Sequence, residues 1–373
     1  MRTKARAILL RISQFIHTYR MEKREKHILK QRGWNLSDEV GEKEWQKYWK
    51  PIVPFSNSWA YRLYSKLCGC TKYIVSEPVI ITINNALNPA QYTAYYSDKN
   101  MFDHLLEKGA LPDTFLRKIR GGYYTSDYQH IEHINNGILN SLLNNSTKII
   151  IKPATGTNSG RGVELFIKDK TGIWQSHETG ITLTTEYLES LPDDIIIQEC
   201  IKQHPFMDQF NPTSVNTIRI ATYRSVKDNK VHILSAVIRM GASGAFVDNL
   251  HMGGHMVKIN EDGTLADYCI DQYAERAESH NGIDFSKSVL KVPGWDDIVD
   301  FAKRNASRLH HTRLVQHDIM IDQYGKPRYI EFNTVGFSMW IAQMTGSPAL
   351  GKYTDEIREY TIKHLKDSIT INI

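Results

Sequence analysis

Residues 315–333 read Val315-Gln-His-Asp-Ile-Met-Ile-Asp-Gln-Tyr-Gly-Lys-Pro-Arg-Tyr-Ile-Glu-Phe-Asn333. Apolar and polar residues alternate on either side of Tyr324-Gly325, the pattern of two antiparallel strands joined by a tight turn. With Gln323 and Lys326 flanking a two-residue turn, pairing back along the ladder sets Asp318 directly opposite Glu331. Side chains so placed have Cβ atoms about 4.5–5.5 Å apart, where two carboxylates repel unless a cation lies between them. Asn333 follows Glu331 by two residues and so projects from the same face. Three hard oxygen donors on one face suit Mg²⁺, which keeps waters and takes further ligands from nucleotide phosphates. The competing reading is an exposed hairpin with charges on its wet side; the spacing and the closing carboxamide favour the metal.

Working outward, Lys148-Ile-Ile-Ile-Lys-Pro-Ala-Thr-Gly-Thr-Asn-Ser-Gly-Arg-Gly-Val163 is a strand ending at Lys152, followed by a Gly/Ser/Thr loop. Gly156, Gly160 and Gly162 let backbone amides approach an anion closely, and Thr157 and Ser159 can donate further hydrogen bonds. This is not the loop G-x-x-x-x-G-K-[ST], because the lysine precedes the glycines. Ile195-Ile-Ile-Gln-Glu-Cys-Ile201 is an apolar strand with a polar end. Arg219 and Arg239 fall on strands expected to line one cleft. There a fixed guanidinium could hold a carboxylate or a phosphoryl group in transfer, or form a structural salt bridge. His251 and His255 flank Gly253-Gly254, either touching substrate or serving as satisfied loop histidines.

The hairpin, with its acidic residue, turn and Glu-x-Asn, resembles the magnesium hairpin of the ATP-grasp superfamily. The resemblance implies that Asp318 and Glu331 hold the metals, with Glu331 bridging two Mg²⁺ ions and Asn333 completing one shell. It also implies that Lys152 meets the α or β phosphate of ATP and that Ser159 to Gly162 cover the outer ones. On the same grounds Glu199, with the backbone of Cys200 and Ile201, becomes the adenine-edge candidate, and Lys99, after Ser97-Asp98, the first nucleotide lysine. Arg239, Lys152 and Arg219 are the catalytic candidates. The run Ile238-Arg-Met-Gly...Val247-Asp-Asn-Leu...Gly253-Gly254, preceded by Asn216-Thr-Ile-Arg219, looks like the sugar-transfer-associated branch, related to α-L-glutamate ligases. The resemblance covers roughly residues 90 to 365.

The implied fold is α+β: an ATP-grasp fold of two α+β subdomains gripping ATP, with an N-terminal helical extension. The expected divisions are 1–75 for the extension, 76–145 for an N-terminal lobe and the start of the ATP-grasp, 146–200 for the nucleotide subdomain, and 201–373 for the metal hairpin and acceptor site. Strands are expected at Ile80 to Ile83, Lys148 to Lys152, 162–167, 195–199, 217–224, 231–239, 254–259, 315–322 and 327–332. Helices are expected from Ser97-Asp98 to Lys108, Asp127 to Leu143, Trp295 to His310 and Thr354 to Leu365.

The implied activity is an ATP- and Mg²⁺-dependent carboxylate–amine ligase working through an acyl phosphate. It would act on small-molecule or glycoconjugate substrates in polysaccharide or glycoconjugate synthesis. A phosphotransferase acting on a hydroxyl and a nucleotide-binding scaffold without turnover are the rival readings.

Composition sets the remaining limits. A chain of 373 residues with 41% hydrophobic content can form two or three packed subdomains. No run of apolar residues reaches the roughly 18 that suggest a membrane span, so the body is expected to be soluble. Four cysteines, with one C-G-C pair, fit neither a zinc site nor a disulfide framework and suit a reducing cytoplasm. The start lacks a small-residue cleavage site and is not read as a signal peptide.

Net charge is +5, yet residues 1–32 hold ten Lys or Arg against two Glu, +8 in that segment and −3 in the remainder. Ile8, Leu9, Ile12, Phe15, Ile16 and Tyr19 recur at near-helical spacing among those cations, the pattern of a basic amphipathic helix. Such a helix can pack on the protein's own body or a partner subunit, or rest on an anionic membrane at the cytoplasmic face. No groove-reading motif accompanies the charge, so no specific nucleic acid is expected. The aromatic stretch Trp45 to Tyr73 is expected to pack this extension on the main body.

Overall fold

The computed structural model describes residues 2–34, 39–54, 56–69, 71–143, 145–156, 161–242, 250, 253–287 and 289–365, without the side chains of residues 2–11 and 39. The chain opens with helices α1 (Arg2–Gln31), α2 (Glu39–Trp49), α3 (Trp59–Cys68) and α4 (Glu77–Leu87), followed by the short α5 (Thr93–Ser97) and α6 (Phe102–Leu105). Next come strands β1 (Thr114–Ile119), β2 (Gly122–Tyr124) and β3 (His130–Ile131), helix α7 (Asn136–Leu142), strands β4 (Lys148–Pro153), β5 (Glu164–Lys168) and β6 (Trp174–Ser176), helix α8 (Thr185–Ser190) and strand β7 (Ile195–Glu199). These strands form one antiparallel sheet in the order β3-β2-β1-β7-β4-β5-β6.

After α9 (Pro205–Asp208), a second antiparallel sheet is built from β8 (Thr217–Arg224), β9 (Val231–Met240), β10 (His255–Ile259), β11 (Leu265–Ile270) and β12 (Arg276–Ala277). A small hairpin, β13 (Ser279–His280) and β14 (Ile283–Asp284), and helix α10 (Trp295–Arg308) precede its last strands, β15 (Leu314–Ile321) and β16 (Pro327–Asn333). The order is β12-β11-β10-β9-β8-β15-β16, and α11 (Met339–Met344) and α12 (Thr354–Lys363) close the chain. The first sheet takes strands from both sides of residue 146, so the segments 76–145 and 146–200 share one sheet.

Three apolar clusters organise these layers. Leu116, Ile149, Ile151, Phe166, Ile195 and Ile197 bury one face of the first sheet with Leu139 of α7 and Leu188 of α8. Ile218, Ile220, Ile238, Val315, Ile319 and Tyr329 bury one face of the second against Trp295, Ile298 and Phe301 of α10. Its opposite face, through Tyr223, Val237, Met256 and Leu314, meets the N-terminal helices at Trp45, Trp49, Leu63, Tyr64 and Ile83. The indole nitrogens of Trp45 and Trp49 donate to the Ile74 and Lys72 carbonyls at 2.7 and 2.9 Å, so the rings are buried without an unpaired donor. The aromatic stretch thus packs the extension on the body, as its composition suggested.

Three expected elements differ. Ile80 to Ile83 is not a strand but lies inside α4, where Val79, Ile80, Ile83 and Leu87 are buried at helical spacing and Pro78 occupies the first turn. A short apolar run carries either period, and packing between layers decides it. The helix expected from Ser97 to Lys108 is instead a 3₁₀ turn, Lys99–Met101, followed by α6; Asp98 does accept the Asn100 N–H, as its capping role requires. Of the helix expected from Asp127 to Leu143 only α7 forms, capped by Asn135, because His130–Ile131 joins the sheet edge.

Candidate active site

β15 lies inside the second sheet, and all eight of its residues are buried. Asp318 pairs with Arg219 of β8 on one side and Glu331 of β16 on the other, so the expected carboxylate register is observed. It arises by two compensating departures. The turn is three residues, Gln323 to Gly325, closed by Asp322 N–H to Lys326 O at 2.8 Å and Gly325 N–H to Asp322 O at 2.9 Å. Gly325 adopts φ +81°, which glycine reaches without strain. Ile319 pairs with Tyr329 but Asp318 with Glu331, leaving Ile330 as a bulge residue that restores the register. Tyr329 and Phe332 consequently both enter the α10 core.

Arg219 donates Nε and Nη2 to the two oxygens of Asp318 at 2.7 and 2.6 Å, and Nη1 of Arg239 stands 3.5 Å from Oδ2. Burial alone would push the Asp318 carboxyl up; the two guanidinium cations and the Arg219 hydrogen bonds outweigh it and hold the group below its ordinary 3.8. Arg219 thus takes the salt-bridge role open to it, with the candidate metal ligand as its partner. Glu331 keeps 28% of its side-chain surface, with Oε1 facing the Asn333 amide at 3.5 Å and Oε2 facing Nζ of Lys99 at 3.6 Å.

Lys99 reaches the hairpin because the first sheet holds it there. Its N–H donates to the Ala154 carbonyl at 2.9 Å, two residues beyond Lys152. The next residue, Asn100, is buried, and its carbonyl accepts from Nη1 of Arg117 at 2.8 Å and from the Tyr128 hydroxyl at 2.5 Å. Phe102 packs on Phe332 with ring centroids 4.5 Å apart, joining this turn to β16. Desolvation of the Lys152 ammonium and repulsion from Lys99 push it down to about 8, against the pull of Glu331. Lys99, Lys152 and Glu331 therefore form one electrostatic group.

In the candidate phosphate loop, Gly156 and Gly162 adopt φ +73° and +72°. A Cβ on Gly162 would meet Cγ of Pro153 at 3.0 Å, so the returning chain passes directly over the residue after Lys152. Thr157, Ser159 and Gly160 lie outside the described residues, as does His251. At the adenine candidate, the Glu199 N–H donates to the Asp113 carbonyl at 2.8 Å and the Cys200 N–H to the Lys148 carbonyl at 3.3 Å. Both N–H groups are committed to the sheet. The His255 ring packs 4.7 Å from that of His280, whose Nε2 lies 3.0 Å from the Gly241 carbonyl.

Arg117 is a residue that sequence reasoning passed over. It is buried on β1, pairs with Asp103 and lies over the Tyr128 ring at 4.3 Å, fixing the turn that carries Lys99. A fully buried cation in Phe115-Leu-Arg-Lys-Ile119 gives no alternation signal. Lys118, also buried, donates to the Leu188 and Leu191 carbonyls at 3.0 Å.

Two antiparallel sheets that bring a lysine-ended strand to a carboxylate hairpin fit an ATP-grasp protein. The chain belongs to the sugar-transfer-associated ATP-grasp family, whose model matches residues 81–359. Among solved structures it is similar to the D-alanine–D-alanine ligase of Coxiella burnetii, with 12% identity and a TM-score of 0.42 over 75% of this chain and 61% of that one. It is also similar to the D-alanine–D-alanine ligase of Bacillus anthracis, with 15% identity and a TM-score of 0.39 over 75% and 71% of the two chains. For the L-amino acid ligase of Bacillus licheniformis the figures are 16% identity and a TM-score of 0.34 over 67% and 44%. The chain thus spans less than two thirds of the first of these structures. No curated protein matches it significantly.

Proposed function

We propose that the protein is an ATP- and Mg²⁺-dependent carboxylate–amine ligase acting through an acyl phosphate, joining an amino acid or similar group to a sugar-containing acceptor. One observation carries this reading: four cations, Lys99, Lys152, Arg219 and Arg239, surround two carboxylates, Asp318 and Glu331. The cationic excess suits a polyanion, and the facing carboxylates with a carboxamide beside them suit a hard divalent cation. Metal-bound triphosphate satisfies both, and the oxygens of Asp318, Glu331 and Asn333 are the donors that would hold it. Mg²⁺ held there would supply charge neutralisation to the phosphate groups.

The chain's own residues do the rest by position and charge. Lys152 and Lys99 hold the phosphates. Arg219 fixes the Asp318 carboxylate in one orientation, and Arg239 stands where a substrate carboxylate or the phosphoryl group would meet a cation. A carboxylate oxygen attacks the γ-phosphorus as ADP leaves; an amine then attacks the acyl carbon, phosphate departs, and the amine loses a proton. The link to sugar-containing acceptors rests on the family's description, and a cytoplasmic location rests on the use of ATP.

The test is ADP release with Mg²⁺ across amino acids and sugar acids in the presence of hydroxylamine. A hydroxamate formed with one acid is the expected result. ADP formation on a hydroxyl acceptor without hydroxamate would replace the ligase by a phosphotransferase, and nucleotide binding without ADP release would leave a scaffold.

A further inference from the structure

Helix α1 has two opposite faces. Its C-terminal turns bury Glu25, Ile28 and Leu29, and the helix packs on α3 and α4. Ile16 and Tyr19 precede Glu25 and Ile28 by nine residues each, two and a half turns at about 3.6 residues per turn, and therefore point away from the body. With Ile12 and Phe15 they make a continuous apolar stripe at i, i+3, i+4 and i+7, exposed to 48, 72, 43 and 59% for Ile12, Phe15, Ile16 and Tyr19. His17, turned toward the body, meets Glu77 at 2.8 Å. The stripe thus lies on the side of the helix that the described residues of this chain do not cover.

Its charge is one-sided. Residues 1–20 contain Arg2, Lys4, Arg6, Arg11 and Arg20 and no Asp or Glu. We propose that this stripe docks the protein on an anionic lipid bilayer, α1 lying in the headgroup plane with Phe15 and Tyr19 inserted and its arginines on lipid phosphates. A large apolar stripe among cations is the composition of an interfacial helix, and long basic side chains reach sideways from such a helix to the headgroups. A second copy of the chain fits less well, because two such helices side by side would oppose like charges with no acid to pair them. The inference is independent of the nucleotide chemistry.

The test uses the full chain and sedimentation with vesicles of phosphatidylcholine plus phosphatidylglycerol against phosphatidylcholine alone. Binding is expected to the mixed vesicles and to weaken with salt. Phe15→Ser with Tyr19→Ser should lower the partition coefficient roughly tenfold or more. Arg11→Gln and Arg20→Gln should each lower it about fivefold. The Phe15, Tyr19 and Arg20 side chains lie outside the packed core, so the circular dichroism spectra of their variants should be unchanged. Equal binding to both vesicles, absence of binding to the mixed ones, or unchanged binding of the Phe15/Tyr19 variant would overturn the proposal. So would a concentration-dependent dimer lost in that variant, which would make the stripe a contact between copies.

Discussion

Replacing Asp318 by Asn tests the centre of the site, because that carboxylate is buried between two guanidinium groups. The amide keeps the shape and one acceptor but removes the charge facing Arg219 at 2.7 and 2.6 Å and Arg239 at 3.5 Å. With charge centres about 4 Å apart and an effective dielectric of about 20, the Arg219 attraction alone is on the order of 4 kcal/mol. Leaving these largely enclosed cations without their buried carboxylate therefore costs about 3 kcal/mol or somewhat more. Arg219→Met should be destabilising for the same reason, whereas the double variant should regain roughly 3 kcal/mol relative to the sum of the singles. The assay is a four-member cycle of urea unfolding curves without nucleotide or metal. A coupling below about 0.5 kcal/mol would refute the ion pair as the force holding this row of the sheet together. The pH dependence has a defined sign. A carboxyl lowered in the folded state stabilises above its unfolded value of 3.8, and that stability is lost as pH falls through the folded value. The gap between wild type and Asp318→Asn should therefore stand at neutral pH and close in acid below 3.8.

Glu331→Gln should reduce ATP turnover by about 100-fold or more with an unchanged unfolding midpoint, because that half-open carboxylate, proposed as a metal ligand, lies outside the apolar core; steady-state ADP release and urea unfolding check the two halves. Deleting residues 1–20 should leave folding and turnover intact. Deleting residues 1–32 also removes Ile28 and Leu29 from their cluster and should cost about 3–6 kcal/mol, read by chemical unfolding. Glu25 is buried, and desolvation, reinforced by Glu77 and Glu22, holds its carboxyl well above the ordinary 4.5. A raised carboxyl pKa stabilises at low pH and loses that advantage as pH rises, so Glu25→Gln should raise the melting temperature at pH 8 and leave it nearly unchanged at pH 4.

Much of the second sheet was legible because its strands carry two apolar faces or clean alternation: 217–224, 231–239 and 315–322 all fall within a residue or two of β8, β9 and β15. The Asp318–Glu331 pair was legible for the same reason, since the faces of Tyr329, Glu331, Phe332 and Asn333 are set by burial even where the turn length is not. Less was legible in the first sheet. β1 carries Arg117 and Lys118 side by side, and both are buried because backbone carbonyls and Asp103 receive them, partners that lie elsewhere in the sequence. α4 read as a strand because Val79-Ile-Ile is β-branched, and only the neighbouring layers reveal a helix buried on one side. The meeting of Lys99 with Glu331 depends on the Ala154 and Asn100 contacts, which local periodicity does not encode.

The bulge at Ile330 separates the length of the hairpin from its chemistry. Without that residue, Tyr329, Glu331, Phe332 and Asn333 would follow one another in plain alternation, keep the same faces and meet the same partners on β15. The strand can therefore lose one amino acid in its middle without exchanging inside for outside, a deletion that would invert the face of an ordinary buried strand. Relatives whose hairpins differ in length by a single residue at this point can still present the same pair of carboxylates to the same ligand.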